Sequence, residues 1–146
     1  MKRIAAILVL GLVLRIAFMA VFEGEGNDST TRILDAAAWL RQSHPIFGTK
    51  PWPELNYVYP ALAIALGGEF FWSVRVLYLL TGVTNIALLY LLVRELFDER
   101  SAELAALLLA INPYHIRCSL DGAMSEIPYL SLVLLALYLA ARYRRS

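Results

Sequence analysis

The chain has 146 residues, of which 60% are hydrophobic and 17% charged, and its mean hydropathy is +0.61. An ordinary soluble domain carries about a quarter charged residues, so this composition excludes one and points to a membrane protein. Thirteen basic residues against twelve acidic ones leave a net charge of +1, which gives no reason to expect a nucleic-acid partner. The single Cys118 excludes an internal disulfide, and there is no CxxC pair, HExxH, GxSxG or glycine-rich phosphate loop. His44 and His115 stand alone and read as interfacial or helix-end residues rather than metal ligands.

Lys2 and Arg3 precede an apolar run over residues 4–22, long enough to be a membrane span of roughly 20 residues and too long for the core of a secretory leader. The positive start places the N-terminus in the cytoplasm and delivers the following loop to the outside. Arg15 interrupts this span. A charge inside a span faces a protein interior around something anionic, or it snorkels to the interface.

Residues 23–69 form the one long polar interval, and the chemistry is expected there. Asp28 heads a helical pattern over 29–43, where Ile33, Leu34, Ala37, Ala38 and Leu40 recur at the period of an amphipathic surface helix. A carboxylate at that point can accept a proton from a substrate arriving along the membrane, or it simply caps the helix. Four prolines between His44 and Pro60 predict an irregular stretch. Trp52, Tyr57 and Tyr59 suit a headgroup boundary, and a second short juxtamembrane helix is expected over 58–66.

A second span is expected over 70–94, with Thr81, Gly82, Thr84 and Asn85 in its middle for close packing and hydrogen bonding. Arg75 near its outer end is placed either to bind a headgroup or phosphate or to snorkel. After a charged turn, a third span is expected over 101–117 and a loop over 118–126 that contains Asp121 and Glu126. A fourth span over 127–142 then stops at Arg142, Arg144 and Arg145. The basic excess at both termini predicts four spans with both ends cytoplasmic, in the cell membrane. The fold class is therefore an all-α membrane protein of four transmembrane helices with one or two juxtamembrane helices in the first outer loop.

With these residues in place, the layout resembles the N-terminal portion of the GT-C superfamily of polytopic glycosyltransferases, closest to its protein O-mannosyltransferase and aminoarabinose-transferase branch. The likeness rests on Asp28 after the first span, helical stretches over 31–42 and 57–66, and Val74-Arg75-Val76 opening the second span. It continues through Arg94-Glu95-Leu96-Phe97, the Ala/Leu-rich 105–110, Asn112-Pro113 and Ser125-Glu126-Ile127-Pro128.

The resemblance implies transfer of a sugar from a polyprenyl-phosphate donor to a hydroxyl of a protein, lipid or glycan on the outer face. It maps the loop aspartate, which activates or positions the acceptor hydroxyl, onto Asp28. Glu23 and Glu25 are rivals, because Asp28 is followed by Ser29-Thr30-Thr31-Arg32 where many relatives have Asp-Glu and an aromatic. The second-loop acid is Asp121 or Glu126. Arg75, Arg117 and Arg32 are the cations available for the phosphate, with Tyr57 among the binding residues; a divalent metal held by carboxylates is the alternative. Family members carry further spans, so this part is expected to act with more chain or with a partner chain. The competing expectation is a non-catalytic four-helix membrane subunit or scaffold, in which the carboxylates are merely solvated.

Overall fold

A computed structural model describes residues 2–21, 27–42, 55–68, 70–121 and 124–144. The described residues form seven helices: α1 (Lys2–Val21), α2 (Asn27–Gln42), α3 (Leu55–Gly67), α4 (Phe70–Leu96), α5 (Glu99–Ile111), α6 (Pro113–Cys118) and α7 (Glu126–Tyr143). Three of them, α1, α4 and α7, are long and apolar enough to cross a membrane. A helix rises about 1.5 Å per residue, so the 20 residues of α1 reach about 30 Å, the thickness of the hydrocarbon layer.

The stretch expected to be a third span, 101–117, divides in two. Pro113 disfavours a helical conformation at the residue before it, and Asn112 is extended, with φ −66° and ψ 116°. Its side chain then starts the next helix. Asn112 Oδ1 accepts from the His115 backbone N–H at 2.9 Å, and Pro113 sits at the first helical position, where no N–H is needed.

α3 opens at Leu55, inside the stretch expected to be irregular, and runs through Pro60. Proline there costs only the single bond that would have reached the Asn56 carbonyl, close to the helix start. Gly68 closes α3 in the left-handed region, with φ 71°, and its N–H returns to Ile64 O at 2.8 Å. At the opposite end of the bundle Asp98 caps α5. Its Oδ1 accepts from the N–H groups of Arg100 at 2.8 Å and Ser101 at 2.9 Å.

α4 is the central element, packed on α7, α5, α3 and α1, while α2 lies mainly on α3. Small residues permit the close approaches. Ala102, Ala106 and Ala110 recur every fourth residue on the buried face of α5, against Ile86 and Tyr90 of α4. A Cβ on Gly11 would lie 2.6 Å from Ile86 Cδ1, so α1 crosses α4 backbone to side chain at that point. α4 and α7 are joined by polar bonds as well: Asn85 Nδ2 donates to Ile127 O at 3.1 Å, and Ser131 Oγ donates to Asn85 Oδ1 at 2.5 Å.

Candidate active site where five helices meet

One apolar cluster, made of Ile33, Ala63, Val74, Tyr78, Cys118 and Ile127, takes residues from α2, α3, α4, α6 and α7. This cluster brings the polar interval of the sequence against the loop that carries Asp121 and Glu126. α2 contributes a buried stripe of Ser29, Arg32, Ile33 and Ala36, spaced as one face of a helix. α3 answers with Asn56, Tyr57, Pro60, Ala61 and Ala63.

Arg32 and Tyr57 come together at this seam. Tyr57 is 1% exposed, and burial pushes its phenol pKa upward, with Asp35 adding to the shift and the Arg32 charge opposing it. Tyr59, two residues on, donates its hydroxyl to Thr81 Oγ1, which in turn donates to Leu77 O at 2.7 Å. The Tyr59 ring meets Tyr78 edge to face, with centroids 5.2 Å apart.

On the facing side, Glu126 is the exposed first residue of α7. It accepts from Tyr114 OH and from Ser125 Oγ, both at 3.3 Å. Asp121 differs from it sharply: it is 2% exposed, just beyond α6. Arg117 is exposed on α6. Arg75 is half-buried on α4, its guanidinium 5.7 Å from the Trp72 ring centroid, a cation–π contact. Asp28 is placed by its backbone in the first turn of α2; its side chain, like Glu23, Glu25 and His44, lies outside the described residues.

Sequence reasoning offered an interior position for Arg15 but did not foresee its partners. Arg15 is fully buried, and among the described residues its partners are neutral acceptors. Nε donates to Ser119 Oγ at 3.0 Å, Nη1 to Gly11 O at 2.8 Å and Ala110 O at 3.4 Å, and Nη2 meets His115 Nδ1 at 2.6 Å. Arg15 therefore neither snorkels nor pairs with a carboxylate there. The spacing of His115 and Ser119, one turn apart, was the available clue, since it puts both on one face toward α1.

Residues 50–145 match the family described as dolichyl-phosphate-mannose-protein mannosyltransferases. The chain belongs to this family. Comparison with the curated proteins and with the solved structures found no match. The mannosyltransferase family is of the GT-C type, so the chain is that of a membrane glycosyltransferase family, consistent with its apolar helices. For this member, the described residues contain no group of three His, Cys, Asp or Glu side chains able to hold a metal ion.

Proposed function

We propose that this chain is the N-terminal module of a mannosyltransferase-family enzyme that moves a sugar from a polyprenyl-phosphate donor to a hydroxyl acceptor on the extracytoplasmic face. The observation that carries the reading is the five-helix seam, where α2 with Arg32 and α3 with Tyr57 pack in one cluster with α6 and the start of α7. A transferase of this kind needs a base near the acceptor and cations near the departing phosphate.

In this mechanism the Asp28 carboxylate takes the proton of the acceptor hydroxyl, and the hydroxyl oxygen forms a bond to the anomeric carbon. The carbon–oxygen bond to phosphate breaks on the opposite face, so configuration inverts, and the phosphate departs with the electron pair. Arg32, Arg75 and Arg117 supply positive charge on that side, and Tyr57 lines the approach. Asp121 or Glu126 is the second-loop acid that positions substrate. The four-span topology counts α5 and α6 together as one crossing, with both termini cytoplasmic and α2 and α3 at the outer membrane surface. Further spans, from more chain or a partner chain, complete the donor site.

A transfer assay with polyprenyl-phosphate-linked mannose tests this, comparing the wild type with Asp28→Asn in membranes from the intact locus. Loss of a general base is worth about 10²- to 10⁴-fold in rate. Unchanged turnover in Asp28→Asn removes Asp28 as the base.

A further inference from the structure

Among the described residues, Ser29 Oγ on α2, both amide atoms of Asn56 and the Tyr57 hydroxyl on α3, and the Tyr78 hydroxyl on α4 are buried without a hydrogen-bond partner. The exposures of Ser29, Asn56 and Tyr57 are 1% each, and that of Tyr78 is 0%. Burying such an atom unpaired is costly, and folded proteins hold few of them. Five on three packed helices call for an occupant.

The groups lie on three helices that pack on one another. Arg32 lies one turn beyond Ser29 on the same face of α2, and its charge acts on both Tyr57 and Tyr78. Asn56 adjoins Tyr57, and Ile33 of α2 packs in one cluster with Tyr78 and with Ala63 of α3.

Their chemistry narrows the occupant. The three hydroxyls both donate and accept, Asn56 Nδ2 only donates, and Asn56 Oδ1 only accepts. A phosphate dianion offers acceptors alone and would leave Asn56 Oδ1 unmet. An ammonium offers donors alone and would leave Nδ2 unmet. A ring bearing several hydroxyls meets every one of the five atoms.

We propose that the interface of α2, α3 and α4 is a glycosyl-binding site in which Ser29, Asn56, Tyr57 and Tyr78 bond the hydroxyls of one sugar ring. This rests on the glycosyltransferase reading and assigns the part of the substrate that these residues hold. The ring comes from the donor or from a glycan acceptor, and the hydroxyl chemistry is the same for both. All four side chains are covered by the packing of these three helices.

The test is equilibrium binding to the full chain in lipid nanodiscs, with three probes: a short polyprenyl phosphate, the same lipid carrying mannose, and methyl mannoside. The wild type is expected to bind the mannosyl lipid at least tenfold tighter than the bare phosphate lipid. Asn56→Leu and Tyr78→Phe should each remove about tenfold of that preference and leave the bare lipid's Kd unchanged. If the two lipids bind alike but methyl mannoside binds, and Asn56→Leu weakens it, the site stands and takes an acceptor sugar. If neither lipid binds while methyl mannoside still does so through Asn56, the donor reading fails and the site survives. The proposal is overturned if no probe shows sugar dependence in the wild type. It is equally overturned if the variants melt higher yet keep the full preference, because the cluster is then hydrated core.

Discussion

Arg15 in the first span donates to His115 Nδ1 across 2.6 Å, joining residues a hundred positions apart. A guanidinium has no acceptor and stays charged, so Nδ1 must accept, which makes the ring neutral with its proton on Nε2. The charge is thus dispersed over an imidazole, a hydroxyl and two carbonyls. Truncation should expose the cost of this arrangement. Arg15→Ala empties space against Gly82 and leaves His115 and Ser119 without a donor, and a loss of about 2–4 kcal/mol is expected in denaturant unfolding in detergent. In a double-mutant cycle with His115→Leu, the two losses should fail to add by about 1 kcal/mol or more.

Two glycines should respond for different reasons. A Cβ on Gly82 would stand 2.6 Å from Ser119 Cβ and 3.1 Å from Arg15 Nε, so Gly82→Val forces α4 away from α6 and should cost about 1–3 kcal/mol. Gly68 has open space around it but a φ of +71°, so Gly68→Ala is strained by backbone alone, at about 1 kcal/mol. Gly68→Asn, which tolerates that conformation, should recover most of the loss. Thermal unfolding of the three variants separates crowding from strain.

Asp98 makes the start of α5 sensitive to acid. Hydrogen bonds from the Ser101 backbone and side chain, then from Arg100, hold its carboxyl below its ordinary value of 3.8. A folded-state pKa lower than the unfolded one gives stability that is present above the unfolded value and lost as pH falls through the folded one. The melting temperature of Asp98→Ala should therefore trail the wild type at pH 7, with the gap closing as the pH falls below the ordinary carboxylate range. A constant gap across that range would assign the effect to packing instead.

Glu126 offers a cleaner functional test than Asp121, because it is exposed and its removal leaves no buried void. Glu126→Gln keeps acceptor atoms for Tyr114 and Ser125 and deletes only the charge. Transfer should fall about tenfold or more with an unchanged melting temperature if Glu126 is the second-loop acid. Normal transfer would shift that role to Asp121.

The four-span topology is checked by labelling intact cells. In a Cys118→Ala background, Ser125→Cys should react with a membrane-impermeant maleimide and Arg100→Cys should not. Equal reactivity would mean that α5 and α6 do not cross.

Residue types and their order were enough to establish several things about this protein. Apolar length over α1, α4 and α7 marks helices able to cross a bilayer, since no arrangement of neighbours changes how far a helix of given length reaches. Thr81, Gly82 and Asn85 announced a tightly packed α4 because small and amide side chains in a span serve little else. The ordered motifs from Asp28 to Pro128 carried the family likeness, which the match over residues 50–145 upholds for the motifs that lie within it. The break at Asn112 was half legible: Pro113 foretold a disturbance, but only the built helices show two short segments in place of one. What the folded arrangement alone decided is which polar groups lose water. Arg15 and Arg75 look alike in the sequence, yet one lies fully buried against His115 and Ser119 while the other rests beside Trp72. Asn56, Tyr57 and Tyr78 likewise gave no hint of forming a set. Burial depends on what three helices bring face to face across long separations in the chain, and local periodicity carries no record of that.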